Sequence, residues 1–450
     1  MRSRQRVPIA LTSAVLVALA SACSTGSTPT SPTTRAAAGQ SSTSPTSIPT
    51  SIPTSSVGST SSAGSTSSAQ TPASSTATTQ TPSTPAQATT SASTPPTSPT
   101  SCSATLVEGL DANEQAGQLL MVGLDVNAAR SSLDPLVRTQ HLGGVILLGG
   151  WYNGAASVRA TTSHLASLAT KAATGGLGLF LAADQEGGNV QQLRGAGFTR
   201  IATARVQDQL TPANLADASA TWAGQLKNAG INVNLAPVAD TVPLSIGKAN
   251  QPIGRWDRQF SSNPDRVAEM VGGFIKGMHR GGVATTIKHF PGLGRITGNT
   301  DVTATGITDT VTTMTDPYLR PFAAGIKDGT DFVMVGSAIY SKIDPGTNAV
   351  FSRTIITDLL RRQLGFNGVV ITDDVGAAKS VAAVPVGQRA TRFIAAGGDI
   401  VLTAQPSTVP TMHAAITAKM AKDPAFAAQV RAAVTRVVEL KVQRGLATCR

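Results

Sequence analysis

Aromatic and charged side chains are scarce in this sequence. Aromatic residues make up 4% of the 450 residues and charged residues 14%, whereas about a quarter of the residues in an ordinary globular domain are charged. So few aromatic rings offer little surface on which nucleic-acid bases could stack. We therefore expect no nucleic-acid partner. A phosphate-binding loop of the form GxxxxGK followed by Ser or Thr is also absent from the sequence.

Acidic residues are missing from the first 102 residues, which contain only four basic residues. Residues 103–450 hold the other 32 of the 36 basic residues and all 25 acidic residues, so the formal net charge of +11 overstates the charge of this part. It is long enough to form one large domain. Residues 24–100 consist almost entirely of Ser, Thr, Pro, Ala and Gly, and this composition predicts a disordered tether.

The N-terminus has the pattern of an export signal. Three arginines in the first six residues precede an apolar segment, residues 7–20, that is too short to span a bilayer comfortably. Small residues then lead into Cys23, and this ending resembles the lipobox of bacterial lipoproteins, whose cysteine carries the lipid. An ordinary secretory signal is the alternative.

The sequence therefore predicts three regions. Residues 1–22 form a lipoprotein signal peptide, residues 23–102 a lipid-anchored tether rich in Ser, Thr and Pro, and residues 103–450 the folded domain. We expect an exported protein that is anchored by its N-terminal lipid to the outer face of the cell membrane.

Cysteine is scarce, with three residues in the whole chain. With Cys23 assigned to lipidation, Cys102 and Cys449 remain at the two edges of the domain. We expect a disulfide between them, because exported proteins fold in an oxidising compartment; two unpaired thiols are the alternative. The five histidines show no metal-ligand spacing, so we expect neither a metal nor another cofactor.

Short apolar segments alternate with longer segments of helical spacing from residue 115 onward. The eight strand candidates are residues 118–123, 144–148, 177–183, 231–237, 284–289, 332–336, 368–372 and 399–403. Such alternation predicts a parallel sheet covered on both faces, and eight units predict an α/β fold of the (β/α)8 TIM-barrel type. An open doubly wound sheet is the alternative, although no Gly-rich dinucleotide fingerprint follows any strand.

Polar residues concentrate where these strands end, which is where barrel enzymes place their active sites. A carboxylate at such a position is costly unless it is paired. Asp373 follows the seventh strand, and a catalytic role and a helix N-cap are equally open for it. Lys288 could hold a polyhydroxylated ligand, form a Schiff base or make a structural ion pair. Asp301 lies in the Gly-rich segment 292–306, which predicts a mobile loop.

Five segments together resemble bacterial β-N-acetylglucosaminidases of glycoside hydrolase family 3. They read DQEGGNV from Asp184, LAPVAD ending at Asp240, IG followed by Arg258 and Phe260, KHFPGLG from Lys288, and GFNGVVITDD ending at Asp374. The resemblance covers residues 105–445. It implies a retaining exo-β-N-acetylglucosaminidase that removes terminal GlcNAc from cell-wall fragments in which GlcNAc is linked to MurNAc. We expect it to act as a monomer.

The resemblance also assigns roles to residues. Asp373 is the implied nucleophile, which forms a covalent glycosyl-enzyme. The residues implied to hold the sugar are Asp184, Arg194, Arg258, Lys288 and His289, with Arg255 as an alternative to Arg258.

One departure from the family concerns the acid/base residue, which belongs to an Asp-Ser-His triplet. Without gaps, this triplet falls on Asn299, Thr300 and Asp301, so we expect Asp301 to be the acid/base and Asn299 to hydrogen-bond it. A gapped alignment instead places Thr303 at the histidine. The ungapped version supplies two carboxyl groups, the usual pair of a retaining glycosidase.

Three further functions remain open. The missing histidine also fits a sugar-binding lipoprotein without catalysis. The second is a β-glucosidase-like specificity, whose family 3 members often take their acid from a second domain that we do not find here. The third is a Schiff-base lyase that uses Lys288.

Overall fold

The computed structural model describes residues 102–448. The predicted signal peptide, the lipidated Cys23 and the tether lie outside the described residues, as does Cys449, so these assignments and the disulfide with Cys102 stay predictions.

Eight parallel strands form the centre of the domain. They are β1 (Leu120–Asp125), β2 (Gly144–Leu148), β3 (Phe180–Ala183), β4 (Val233–Asn234), β5 (Ala284–Phe290), β6 (Phe332–Val335), β7 (Val369–Thr372) and β8 (Val401–Thr403). Each strand from β1 to β6 pairs in parallel with the next strand, and β8 pairs with β1. A parallel bridge between Ile371 and Ile400 joins the two ends of the sheet. The predicted (β/α)8 barrel is confirmed, and the open-sheet alternative is wrong.

Helices connect the strands and cover the outside of the barrel. They are α1 (Cys102–Glu108), α2 (Ala112–Gln118), α3 (Asp134–Thr139), α4 (Gly154–Ser167), α5 (Lys171–Thr174), α6 (Ala204–Gln207), α7 (Pro212–Asn228), α8 (Pro264–Arg280), α9 (Arg320–Lys327), α10 (Val386–Ala395), α11 (Val409–Met420) and α12 (Pro424–Gln443). A π-helical segment, Thr354–Gln363, connects β6 to β7. Within residues 102–448, no helix has the length and apolar character needed to cross a membrane.

Local sequence explains where the two longest crossover helices before β5 begin. Thr211 accepts a hydrogen bond from the backbone of Asn214 at the start of α7, and Asn263 accepts one from Asp265 at the start of α8. Each cap is followed by a proline at the first helical position, which suits the fixed φ of proline. The apolar residues of α8 recur on one face and are buried against the barrel.

The turn after β3 depends on two glycines. The strand leads into a hairpin of Gln185–Gly187 and Val190–Gln191. Gly187 and Gly188 have φ angles of 113° and 56°, which side chains disfavour. A Cβ atom on Gly187 would also lie 2.2 Å from the carbonyl oxygen of Ala202. The glycines therefore let the chain reverse close to β3, so that Asp184 and Glu186 stay at the mouth of the barrel.

Lys441 is buried at the opposite end of the barrel, near the amino ends of β2 and β3. Its Nζ donates to Gln118 Oε1 at 2.6 Å and to the carbonyl oxygen of Gly143 at 3.0 Å. The Phe180 ring centre lies 5.1 Å away. These acceptors are neutral, and burial lowers the pKa of Lys441 to about 7.

We predict that this lysine makes the stability of the domain depend on alkaline pH. Between the folded pKa and the ordinary pKa the unfolded chain binds more protons, so the free energy of unfolding rises with pH from about 7 to about 10. Lys441→Met should abolish this rise, whereas Lys422→Met, at an exposed lysine, should keep it. Thermal unfolding measured across this pH range checks the prediction, and an unchanged slope in Lys441→Met would contradict it.

Candidate active site

A cavity of about 300 Å³ opens at the carboxyl ends of the strands. Its walls combine apolar side chains from the strands with polar side chains from the loops that follow them. The polar residues that line it are Asp184, Arg258, Lys288, His289, Asn299, Thr300, Asp301, Asp373 and Asp374. Six of the seven predicted catalytic and sugar-binding residues are therefore brought together, and the exception is Arg194.

A cluster of alternating charges forms one wall. Lys288 Nζ lies 2.5 Å from Asp184 Oδ1 and 2.7 Å from Glu186 Oε1. Arg258 donates to both oxygens of Glu186, from Nε at 2.9 Å and from Nη2 at 2.7 Å. Burial by itself would raise the pKa of Glu186, but the charges of Arg258 and Lys288 outweigh it and lower the pKa to about 2. Glu186 is therefore ionised near neutral pH.

The ionised cluster argues against the Schiff-base alternative. Burial disfavours the charged form of Lys288, but the carboxylates of Asp184 and Glu186 outweigh this effect and raise its pKa. A lysine attacks a carbonyl only as the neutral amine. Lys288 is therefore suited to donating hydrogen bonds as an ammonium.

His289 is oriented by a carboxylate that the sequence did not assign to the site. Its Nδ1 lies 2.7 Å from Asp240 Oδ2, and the other oxygen of Asp240 accepts from the backbone of Leu293 at 2.7 Å. A carboxylate only accepts, so Nδ1 carries a proton and Nε2 faces Arg258, whose Nη2 lies 3.4 Å away. Asp240 has no exposed surface, which fits this supporting position.

The two aspartates after β7 have different environments. Asp374 accepts hydrogen bonds from the backbone of Gly376, Ala377 and Ala404 at 2.8–3.1 Å, so it holds the turn that follows the strand. Within residues 102–448, the Asp373 carboxyl group accepts one hydrogen bond, the short-range one from the backbone of Asp374 at 2.9 Å. The capping role thus falls to Asp374 and leaves the Asp373 carboxyl group at the cavity.

Asp301 reaches the same cavity from the loop after β5. Thr303, which the gapped alignment places at the histidine, does not line the cavity, so the geometry favours the ungapped version. Asp301 as a whole residue is exposed, but the atoms packed around its carboxyl group partly desolvate it, and this effect together with the negative charge of Asp373 raises its pKa to about 6. This carboxyl group is therefore mostly protonated below about pH 6.

The expected hydrogen bond from the Asn299 amide to the Asp301 carboxyl group is wrong. Asn299 Oδ1 instead accepts from the backbone N–H of Asp301 at 3.0 Å, in the local turn that Asn side chains favour. The side chain of Asn299 therefore shapes the loop.

Arg194 does not line the cavity. Its Nε donates to the carbonyl oxygen of Gln191 at 3.0 Å, and its guanidinium stacks on the exposed ring of Tyr152 at 4.6 Å from the ring centre. Arg255 similarly stacks on Trp256, so Arg258 is the arginine that reaches the cavity. A sugar-binding role for Arg194 stays a prediction.

The family model for the glycosyl hydrolase family 3 N-terminal domain matches residues 112–440. The chain belongs to glycosyl hydrolase family 3. Within residues 102–448 of this glycoside hydrolase, no group of His, Cys, Asp and Glu side chains could hold a metal ion.

Similar proteins carry hexosaminidase names. A β-hexosaminidase of Xanthomonas oryzae pv. oryzae is 35% identical over 238 residues, which cover 51% of this chain and 69% of that protein. A β-hexosaminidase of Stenotrophomonas maltophilia is 37% identical over 240 residues, which also cover 51% and 69%.

Two solved structures have a similar fold. The β-N-acetylhexosaminidase of Beutenbergia cavernae is 48% identical with a TM-score of 0.72, over 74% of this chain and 98% of that chain. A family 3 glycosyl hydrolase of Mycobacterium smegmatis is 25% identical with a TM-score of 0.63, over 77% and 99%.

Glu186 and Asp240 of this family 3 domain were not among the predicted site residues. The sequence did contain a signal for both residues, because each is the last acidic residue of a family segment that follows a strand. Their partners lie 72 and 49 residues further along the chain, so the pairings follow from the closed barrel.

We predict that Glu186→Gln strongly destabilises the domain. The change leaves Arg258 and Lys288 buried with half of their negative counter-charge, and removing one partner of a buried ion pair costs about 3 kcal/mol of unfolding free energy or more. Glu269→Gln is the matched control, because Glu269 is exposed in its pair with Arg266, and should cost less than about 1 kcal/mol. Urea unfolding measures both values, and equal losses would refute the prediction.

Proposed function

We propose that this chain is a retaining exo-β-N-acetylglucosaminidase that releases terminal β-linked GlcNAc, with peptidoglycan fragments as its substrate. One observation carries the proposal: Asp373 and Asp301 line a single cavity, and the charge of one raises the pKa of the other. Retaining glycosidases use two carboxyl groups in this way. The hexosaminidase names of the similar proteins support GlcNAc as the sugar.

The first chemical step forms a covalent intermediate. The Asp373 carboxylate bonds to the anomeric carbon while the glycosidic bond breaks, and Asp301 gives its proton to the departing oxygen. In the second step Asp301 takes a proton from water, and the water oxygen bonds to the anomeric carbon. This step releases the sugar with its original configuration and restores the Asp373 carboxylate.

The proton affinity of Asp301 changes in the direction that each step requires. Desolvation and the negative charge of Asp373 together raise the pKa of Asp301 to about 6, so the acid is protonated below about that pH. The ester of the intermediate removes that charge, so the pKa of Asp301 falls and the group becomes a base.

The charged wall is suited to a sugar ring. Lys288 and Arg258 supply hydrogen-bond donors, and Asp184 supplies acceptors, in a cavity at the lower end of the usual size for small-molecule sites. Such a cavity fits one terminal sugar with its aglycone outside, which supports exo action.

We further propose that Cys23 and the tether hold the enzyme at the outer face of the membrane. The support is the N-terminal sequence alone. Action as a monomer stays a prediction.

Trapping the nucleophile tests the proposed function. A slow fluorinated N-acetylglucosaminide should label the wild-type protein, and mapping of the labelled peptide should place the sugar on Asp373. Asp373→Ala should remain unlabelled and lose about a thousandfold or more of the turnover of an aryl N-acetyl-β-glucosaminide. A wild-type protein that binds the sugar but neither turns over nor becomes labelled would support the sugar-binding alternative.

We predict a pH dependence that originates in Asp301. Only the protonated acid supports the first step, so kcat/KM should fall about tenfold per pH unit above pH ~6. Asp301→Ala should lose this limb as well as most of the activity. Measurements of kcat/KM between about pH 4 and about pH 8 decide the matter, and an unchanged limb in Asp301→Ala would assign the acid to another residue.

A further inference from the structure

The loop after β7 carries Asp373 and contacts the backbone of the segment that carries Asp301. It begins with Asp373, and seven residues beyond it the backbone of Ser380 donates to the carbonyl oxygen of Thr300 at 3.1 Å. Lys379 donates in the same way to the carbonyl oxygen of Asp301 at 3.0 Å. Within the described part of the chain, no other hydrogen bond connects residues 299–305 to a different loop. These two hydrogen bonds therefore link the segment that carries Asp301 to the loop that carries Asp373.

A second layer fixes the part of the β7 loop that makes this contact. Ser380 Oγ lies 2.7 Å from Ser337 Oγ. Asn348 Nδ2 donates to the carbonyl oxygen of Ser337 at 2.7 Å and to that of Ser380 at 3.4 Å. Ser337 is 1% exposed and lies just beyond the end of β6. Side chains of the β6 loop thus hold the segment that in turn holds Asp301.

We propose that Ser337 and Asn348 are positioning residues that set the placement of Asp301 through Ser380. The inference rests on the proposed function. A retaining glycosidase needs its two carboxyl groups about 5–5.5 Å apart, and small errors in the placement of a catalytic group are costly. Neither side chain lines the cavity, so each acts without contact to the sugar.

The dependence on the leaving group tests this role. Cleavage of a phenyl N-acetyl-β-glucosaminide needs a proton from the acid, whereas the dinitrophenyl substrate releases a stable anion without one. In Ser337→Ala and in Asn348→Ala, kcat/KM for the phenyl substrate should fall about tenfold or more, and that for the dinitrophenyl substrate should stay within about twofold of wild type. The parameter kcat/KM reports steps up to formation of the intermediate, so later base catalysis does not affect the comparison.

Ser341→Ala is the matched control. Ser341 lies in the same loop, and its Oγ donates to the carbonyl oxygen of Asp309 at 3.3 Å, away from Ser380. Its two kcat/KM values should equal those of wild type. Two variants are used because Ser337→Ala alters a buried site, whereas Asn348 is only partly buried at the end of the short strand Asp344–Asn348.

The possible results separate the two proposals. A selective loss with the phenyl substrate in either folded variant supports the positioning role. Equal losses with both substrates, or no loss with either, overturn it while the wild type remains active. An inactive wild type would instead overturn the proposed function, and the inference with it.

Discussion

The candidate site depends on the ion pairs that the buried ammonium group of Lys288 forms with two carboxylates. Lys288 is 2% exposed, and a lone charge at this depth would cost several kcal/mol. The carboxylates of Asp184 and Glu186 compensate it, and Glu186 continues to Arg258. Since these residues follow β3 and β4 or lie within β5, one chain of charges joins three consecutive segments of the barrel mouth.

A second group of cavity residues has the reverse property. Asp301, Asp373 and Asp374 also line the cavity, and none of the three takes part in the salt bridges found within residues 102–448. Ion-paired charges give fixed hydrogen-bonding groups, whereas desolvation and the negative charges of Asp373 and Asp374 raise the pKa of Asp301. The cavity therefore separates groups that can hold a sugar from groups that can exchange a proton.

The sequence predicted the elements of the barrel better than the contacts between them. Apolar segments identified all eight strands, but β4 is Val233–Asn234 where residues 231–237 were expected. Pro237 has no N–H group to donate, so the regular ladder ends early. The pairing of Asp184 with Lys288 spans 104 residues, and no local pattern encodes it. Asn299 is the reverse case. The sequence predicted a hydrogen bond from its side chain to the Asp301 carboxyl group, but the side chain accepts a local hydrogen bond from the Asp301 backbone instead.

An aspartate at the position of a histidine gives the proposed cycle a simple charge balance. Before reaction Asp373 is an anion and Asp301 is neutral; in the intermediate Asp373 is an ester and Asp301 is an anion. The pair thus carries one negative charge at both stages, and only its location changes. Lys288 and Arg258 face the same total charge throughout, so fixed dipoles and ions suit both steps without rearrangement. A histidine acid would also keep the total charge of the pair constant, but at zero, because an imidazolium beside the Asp373 anion becomes a neutral imidazole beside the ester.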